Sequence, residues 1–308
     1  MNFLLPLLNA APGAITQGML WGIMAIGVYL TFRILNVSDL TVDGSLATGG
    51  AVCVVLMRAG CDPWIAMLCA LLAGMLAGLM TGLLHTRCGI PAILSGILTQ
   101  LALYSVNLRI MSGKANQAIS VDKYDLLVSQ RYARELDLNN PMLLAVIFLA
   151  VMIGILYWFF GTEYGSALRA TGANPNMARA QGIDTKIATT VGLMLSNGLV
   201  AVAGGLIAQY QGAADVNMGR GAIVIGLAAV IIGEVLFSKI FINFALKLLA
   251  VAIGAVVYYL VIQVVLLLGL NTNDLKLVTA AVVAVFLALP YWKGNIAHKK
   301  QTGGKGHA

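Results

Sequence analysis

The chain has 308 residues and a formal net charge of +7; 60% of its residues are hydrophobic and only 10% are charged. Soluble domains contain roughly 45–50% apolar and 25% charged residues, so this composition excludes an ordinary soluble domain. Several apolar stretches reach the ~20 residues that cross a bilayer, which predicts an all-α polytopic membrane protein with a single transmembrane domain over 1–308. The N-terminus has no positive region before its first apolar span, so we expect no cleaved signal peptide.

Nine membrane segments are predicted from the apolar stretches. Their approximate bounds are 14–34, 45–58, 63–84, 91–111, 141–160, 187–210, 221–236, 240–268 and 277–291. The basic tail 292–308 is typical of a cytoplasmic end near anionic lipid, and not of a nucleic-acid site. Nine crossings then place the N-terminus outside and the C-terminus in the cytoplasm, with the polar segment 161–186 on the inner face.

The second segment, 45–58, is too short to span a bilayer upright and follows a polar break that contains Asp39 and Asp43. Asp43 and Ser45 are expected to cap this helix at its N-terminus. A short helix at membrane depth is tolerated only where protein or a water-filled cavity covers its ends. The break is therefore predicted to line a path through the membrane.

The seventh segment, 221–236, is also short, so each half of the chain has one shortened, glycine-bearing segment. Such pairing indicates a translocation site between two structurally related halves. Polar residues in and beside the spans complete the predicted path, because lipid contact does not tolerate several polar side chains in one segment. The predicted path residues are Asp39, Asp43, Ser45, Asn107, Asn197, Gln209 and Gln211.

Glu234 lies near the inner end of the seventh segment, within reach of two lysines if segments seven and eight are neighbours. An ion in the bilayer needs a partner or a route to water. We predict a gate ion pair between Glu234 and either Lys239 or Lys247; a lysine that extends to the membrane surface is the alternative. The acids Asp39, Asp43 and Glu234 are all expected near the cytoplasmic ends of spans.

The loop 112–140 is the one extended polar stretch outside segment 161–186, and its charges are balanced. It is predicted to be external and is a candidate contact for a soluble partner. A surface loop without a partner is the alternative.

Segment 161–186 lies between two long apolar spans. Asn174 is a favoured N-cap, Pro175 suits the first helical position, and Gly182 suits a helix end that needs a positive φ. These residues predict a helix of about two turns over 175–181, which is too short to be stable in water without a packing partner. Because it must lie at or beyond the membrane surface, that partner is expected to be another protein. A solvated connector is the alternative.

A resemblance rests on this same segment. The runs GSALRATGANP at 165–175 and ARAQGI at 178–183 resemble the cytoplasmic coupling loop of ABC importer permeases, in the branch that serves branched-chain amino acids, ribose-type sugars and nucleosides. In that family the short helix rests in a cleft of a separate ATPase subunit. The residues implied to couple to the ATPase are Glu163, Arg169, Gly172, Asn174, Pro175, Met177, Arg179, Gln181 and Gly182, although Arg169 is expected to anchor the loop to its own helices or to lipid.

The segments 39–45 and 49–51 resemble a subgroup of uncharacterised permeases often assigned to aromatic or related amino acids. The resemblance implies a bacterial plasma membrane location, an extracytoplasmic substrate-binding protein and a second permease subunit, expected to form a homodimer. ATP and Mg²⁺ would be bound by the partner ATPase, and this chain would bind no cofactor.

Motifs of an enzyme are absent from the sequence. There is no GxxxxGK[ST] phosphate loop, HExxH or GxSxG, and the four cysteines form no CxxC pair, so no catalytic or metal site is predicted. The alternative to an importer subunit is a stand-alone secondary transporter or channel. Such proteins usually need acids or histidines at the membrane midplane, which the expected positions of the three acids disfavour.

Overall fold

The computed structural model describes residues 4–120, 123–124, 126–130, 140–237, 241, 243–267, 277, 279–281, 283–285 and 288. The elements with assigned bounds are ten α-helices, one π-helical turn and two short strands, and the described residues between 277 and 288 are also helical. In chain order they are α1 Leu4–Tyr29, the π turn Leu30–Ile34, α2 Val42–Arg58, α3 Pro63–Thr86, α4 Ala92–Ile110, β1 Asn116–Ala118, α5 Pro141–Gly161, α6 Glu163–Ala173, α7 Pro175–Ala180, α8 Thr185–Gln211, β2 Ala213–Asp215, α9 Ala222–Phe237 and α10 Phe244–Leu267.

Six helices in the described residues are long and apolar enough to cross a membrane: Ala10–Ile34, Pro63–Thr86, Ala92–Ile110, Pro141–Gly161, Thr185–Gln211 and Phe244–Leu267. Two more, α2 with 17 residues and α9 with 16, are shorter. The all-α polytopic fold class is thus confirmed, while the count of nine spans is not. The predicted ninth segment lies partly outside the described residues, and the basic tail lies wholly outside them.

Two helices form the centre of the fold. In α1 and α8 the spanning windows are 78% and 83% buried, against 22% for α4 and α5. Close packing of α3 on α8 depends on small residues four apart: a Cβ added at Gly74 or Gly78 would collide with the backbone of Asn197 or Leu193. Small residues let membrane helices approach closely where no hydrophobic effect drives them together.

The two opposite faces of the fold are marked by different elements. One face, called here the sheet face, has the antiparallel pair β1–β2, in which Gln117 lies opposite Ala214. The other, the α7 face, has α6, α7 and the π turn at the end of α1. The sequence did not predict the strand pair or α6.

Both short helices begin in the interior of the fold and run in opposite directions. The chain leaves the π turn at Leu35, runs without regular structure to residue 40 and starts α2, whose last residue Arg58 reaches the carbonyl of Ala118 on the sheet face (3.5 Å). Helix α9 begins opposite the middle of α1, since Gly226 packs against Met24 and Val28. It ends on the α7 face.

Candidate functional site

A buried polar cluster lies where the break, α2 and α8 meet. Asn197 donates from Nδ2 to Oδ2 of Asp39 (2.7 Å) and accepts at Oδ1 from the hydroxyl of Ser45 (2.6 Å). Asp39 also accepts at Oδ1 from the backbone N–H of Thr41 (2.8 Å). All four residues are fully buried. This central cluster therefore holds three of the predicted path residues, Asp39, Ser45 and Asn197, in one hydrogen-bonded group.

Threonine hydroxyls extend the cluster to two further helices. Thr41 Oγ1 lies 2.7 Å from Thr81 Oγ1 in α3, which in turn donates to Thr99 in α4 (2.9 Å). Buried polar networks are stable when every member is satisfied, and losing one member leaves the others unpaired. The break after α1 is thus tied to α2, α3, α4 and α8 at one level.

That level is the middle of the fold and not its α7 face. Asn197 is near the midpoint of the 27-residue helix α8. The expectation that Asp39 lies at the cytoplasmic end of a span is therefore wrong. The physical reason is that the break runs back into the fold after the π turn, so the acid enters the interior before α2 starts.

Asp43 caps a different helix from the one predicted. Its carboxylate accepts hydrogen bonds from the backbone N–H groups of Gly221 and Ile223, both at 3.0 Å, at the start of α9. Helix α2 instead has Thr41 at its N-cap, without a side-chain cap bond. A carboxylate stabilises the exposed N–H groups and the positive end of a helix dipole. Asp43 thus joins the two short helices of the chain, also at mid-depth.

The remaining predicted path residues do not join the central cluster. Gln209 is buried and bridges the backbone N–H of Leu127 (2.9 Å) and the sulfur of Cys53 (3.2 Å), which ties the segment after β1 to α8. Asn107 is buried near the end of α4, and its side chain has no hydrogen-bond partner among the described residues. Gln211 is exposed at the end of α8.

The segment between α5 and α8 forms a compact helical pair. Asn174 caps α7, accepting at Oδ1 from the N–H groups of Asn176 and Met177 (both 3.1 Å), and Pro175 is the first helical residue as predicted. The helix ends at Ala180, and Gly182 follows with φ +82°. Helix α6, which precedes it, starts at a Thr162 cap that accepts from Gly165 N (3.4 Å).

Most of the outer surface of α7 is available to a partner. Met177 is 63% exposed, and only Ala178 of this helix is buried. Glu163 and Gln181 are exposed as well, whereas Arg179 folds back along its own helix to Pro175 O and Asn176 Oδ1 (both 3.3 Å). Such a short, exposed helix gains little stability from packing against the rest of the chain.

Two coupling-loop residues contact the membrane helices instead. Arg169 donates to the carbonyl of Phe160 at the end of α5 and lies over the ring of Phe244 in α10, as expected for an anchor. Gly172 packs directly on the end of the π turn: a Cβ there would collide with the carbonyl oxygen of Ile34 and lie 2.9 Å from Cα of Leu35. The helical pair is therefore in contact with the start of the break.

Glu234 forms an ion pair with Arg33, which is neither of the two lysines predicted from the sequence. Arg33 donates from Nε to Oε1 of Glu234 (2.8 Å) and from Nη2 to Oε2. Lys247 lines a cavity of about 280 Å³ beside Glu234 but forms no ion pair with it in the described part of the chain. Lys239 lies outside the described residues. Lys247 is not the partner because the π turn brings Arg33, distant in sequence, to the end of α9, and the pair with Lys239 stays a prediction.

This ion pair is flanked by open space. A second cavity of about 400 Å³ is lined by Arg33, Arg169, Gly172 and Lys247, among others. The pair thus lies between the coupling loop and the α9–α10 junction on the α7 face, where a change in either element would reach it.

We expect Arg33→Gln and Glu234→Gln to destabilise the protein by similar amounts, and the double variant to be no worse than either. The side chains are 55% and 33% exposed, so the coupling energy should be about 0.5–1 kcal/mol and should shrink in high salt. A double-mutant cycle on thermal unfolding in detergent measures it. The control is the same cycle with Lys247→Gln and Glu234→Gln, whose effects on stability should add. Coupling of Glu234 to Lys247 and not to Arg33 would instead support the ion pair with Lys247 that the sequence predicts.

Metal chemistry has no support in the described residues, which contain no group of three or more His, Cys, Asp or Glu side chains placed to hold an ion. What the described geometry offers is a central hydrogen-bonded cluster, an ion pair and an exposed helical pair.

Comparisons with known proteins identify the family of this chain. Residues 11–289 match the family described as branched-chain amino acid transport system / permease component. The chain is 39% identical over 273 residues to a tyrosine transport system permease protein of Clostridioides difficile (strain R20291), covering 89% of this chain and 88% of that protein.

Further similarity extends over most of the chain. It is 34% identical over 286 residues to an uncharacterized protein of Rickettsia prowazekii (strain Madrid E), covering 91% of this chain and 98% of that one. The solved structure of PsaBC from Streptococcus pneumoniae in complex with Fab shares the fold, with a TM-score of 0.51 at 16% identity and 89% coverage of both chains. With its multi-pass helical fold and a family match over almost its full length, the chain belongs to the permease components of branched-chain amino acid transport systems.

Proposed function

We propose that this chain is the transmembrane subunit of a binding-protein-dependent ABC importer for a small polar solute, driven by a separate ATPase subunit that docks on the loop 161–186. The observation that supports this best is the helical pair α6–α7. It exposes Met177 to a partner on one side and packs Gly172 against the end of the π turn on the other. A push on α7 would therefore be transmitted to the break that carries Asp39.

ATP and Mg²⁺ belong to the partner in this proposal. The sequence has no phosphate-binding loop, so nucleotide hydrolysis requires another polypeptide. The ATPase would contact Glu163, Met177 and Gln181, which are exposed on the coupling loop. Arg169, which binds its own chain, would position the loop.

An amino acid is the proposed substrate class. The relative named as a tyrosine transport system permease is 39% identical over most of both chains, and the family description names branched-chain amino acids. An aromatic amino acid is therefore the first candidate to test, with sugars and nucleosides as the comparison set.

The sheet face is the proposed contact for an extracytoplasmic substrate-binding protein. There β1 and β2 pair and connect the segment after α4 to the turn before α9. Because that turn ends where Asp43 caps α9, a binding protein seated on β2 would be one short turn from the start of the short helix. The proposed orientation places this face outside and the α7 face in the cytoplasm of a bacterial cell, with the N-terminus outside and the C-terminus inside.

Two copies of the chain are proposed to assemble as a homodimer with the path at the two-fold axis. Cyclic symmetry is the commonest arrangement for homo-oligomers, and two ATPase subunits that close on each other would require two matching docking loops.

The docking role is tested by two variants in vesicles that contain the chain with the ATPase that co-purifies with it. Asn174→Gly combined with Pro175→Gly removes the α7 cap and first turn, and Arg179→Glu reverses a charge on α7. The double glycine variant is expected to lower ATP-driven amino acid uptake by about three- to tenfold, because a few tenths of a kcal/mol from the cap and about 0.4–1 kcal/mol from the lost proline fall on a helix with little other support. Arg179→Glu is expected to lower uptake as well, because the reversed charge lies on the proposed docking surface. Gly154→Ala, in the exposed middle of α5 where an added Cβ meets nothing within 4 Å, is the control. Normal uptake in both α7 variants would refute the docking role.

A further inference from the structure

A cavity of about 620 Å³ lies on the sheet-face half of the fold, apart from the cavities beside the ion pair. Gln17 lines it from α1, Gln263 and Leu266 from the end of α10, and Val224 from the start of α9. Gly13 of α1 is next to Tyr210 at the sheet-face end of α8, which fixes the depth of this part of α1. The cavity therefore reaches from the sheet face towards the middle of the fold.

Arg220 is a charged residue in the lining of this cavity. It directly precedes Gly221, whose N–H is bound by Asp43 at mid-depth. The Arg220 side chain is exposed to the cavity and has neither an ion pair nor a hydrogen bond within the described parts of the chain. An arginine at membrane depth is costly without a partner, and such residues mark substrate or ion pathways.

The walls beside Arg220 are aromatic and amide-bearing. Tyr259 is held edge-on to Tyr258 with ring centroids 5.5 Å apart, and it lies 5.8 Å from the ring of Trp21. Gln17 and Gln263 add neutral hydrogen-bonding groups. A cavity that is lined by both a guanidinium and a fixed aromatic surface matches a carboxylate attached to a flat ring, because arginine binds carboxylates through two parallel N–H bonds. The cavity volume is within the range of small-molecule sites.

We propose that this cavity binds the carboxylate of a small aromatic amino acid at Arg220, with the ring against Tyr259. The solute would bind here on the sheet-face side before it reaches the central cluster. This inference rests on the proposed function for its substrate class, but binding at Arg220 requires neither the ATPase nor ATP.

The test uses the full-length chain in phosphatidylcholine nanodiscs with radiolabelled L-tyrosine as the probe. We expect saturable binding in which 3-(4-hydroxyphenyl)propionate competes and tyramine, which lacks the carboxylate, competes at least about tenfold less well. Arg220→Gln should weaken binding by about tenfold or more, with Arg220→Lys in between. Arg109→Gln, another exposed arginine that ends a span, is the matched control and should bind as the wild type does.

Several results would overturn the proposal. The first is that the wild type does not bind L-tyrosine. The second is that Arg220→Gln binds it as tightly as the wild type, and the third is that tyramine competes as well as 3-(4-hydroxyphenyl)propionate does. A lipid headgroup is the other anionic occupant: phosphatidylglycerol that is retained in native mass spectra of the wild type, is lost in Arg220→Gln and is not displaced by L-tyrosine would also overturn it.

The same variants separate this inference from the proposed function. ATP-driven uptake that continues unchanged in Arg220→Gln would remove the site and leave the importer intact. Tyrosine binding that depends on Arg220, without any ATP-driven uptake by the wild type and its partner, would remove the importer and leave the site.

Discussion

Replacing Gly172 with alanine is expected to uncouple ATP hydrolysis from uptake while the chain stays in the membrane. An added Cβ would collide with the carbonyl of Ile34, so α6 must move away from the π turn. Overpacking of this kind costs about 1–3 kcal/mol, which corresponds to a loss of about 5- to 150-fold in coupling if the whole cost falls on the transmitting contact. Uptake and ATPase rates in the same vesicles measure it.

Gly161→Ala is the matched control for that prediction. Gly161 ends α5 in the same loop, and a Cβ there meets nothing within 4 Å. We expect wild-type uptake from it. If Gly172→Ala imports as well as Gly161→Ala at equal membrane levels, the contact with Ile34 does not transmit the ATPase stroke.

Replacing Asp39 with alanine should produce the largest loss of stability among single changes in the described core. It leaves the N–H of Thr41 and one of the two N–H groups of the Asn197 amide without acceptors inside a fully buried cluster, while the amide still donates to Leu193 O (3.0 Å). Each unpaired buried donor costs about 1–3 kcal/mol. Thermal unfolding in detergent should therefore show a clearly lowered Tm, and uptake should fall with it.

Asp62→Ala provides a control of the same local geometry. Asp62 accepts from the N–H of Trp64 at 2.8 Å, as Asp39 does from Thr41, but it is exposed and has no second side-chain partner among the residues that the structure describes. Its loss should cost about 0.5–2 kcal/mol, the range for an N-cap. Equal Tm shifts in the two variants would show that the bond between Asp39 and Asn197 contributes nothing.

Local patterns in the sequence predicted local features well. Hydropathy located most spans to within a few residues in the described regions, because length and apolar content are set by the bilayer itself. The exception is α1, which begins at Leu4 and not near residue 14. Helix α7 was located by Asn174, Pro175 and Gly182, because capping residues act within one turn of the helix and can be recognised locally. Helix α6 was missed: its sequence has two glycines, and it is held by long-range packing of Leu168 and Gly172. The Thr162 cap was the one local signal for it.

Contacts between residues distant in sequence were not predicted correctly. Asp43 was assigned to its own helix, whereas it caps one that starts 178 residues later, and Arg33 reaches across 201 residues to Glu234. Spacing alone cannot tell which helix end a carboxylate will meet. The sequence also did not predict that the break carries Asp39 to the middle of the fold, because the depth of a residue depends on how the helices assemble.

Asp39 and Asp43 lie deeper in the fold than the sequence predicts, and this bears on the choice between an importer subunit and an ion-coupled transporter. Asp39 and Asp43 were expected near the cytoplasmic ends of spans, which would disfavour an ion-coupled transporter. In the structure both lie at mid-depth, and both are committed to hydrogen bonds, Asp39 to Asn197 and Asp43 to Gly221. The preference for an importer subunit therefore depends on the coupling loop and the family, and not on the position of these acids.

The central claim is that α7 receives force from a separate ATPase, and one flux measurement tests it most directly. Vesicles with the purified chain alone, and vesicles with the chain and its co-purifying ATPase, are supplied with ATP and the cognate binding protein, and amino acid uptake is followed. We expect ATP-driven uptake in the second set and none in the first. Uptake by the chain alone, driven by an ion gradient and indifferent to the ATPase, would contradict the account.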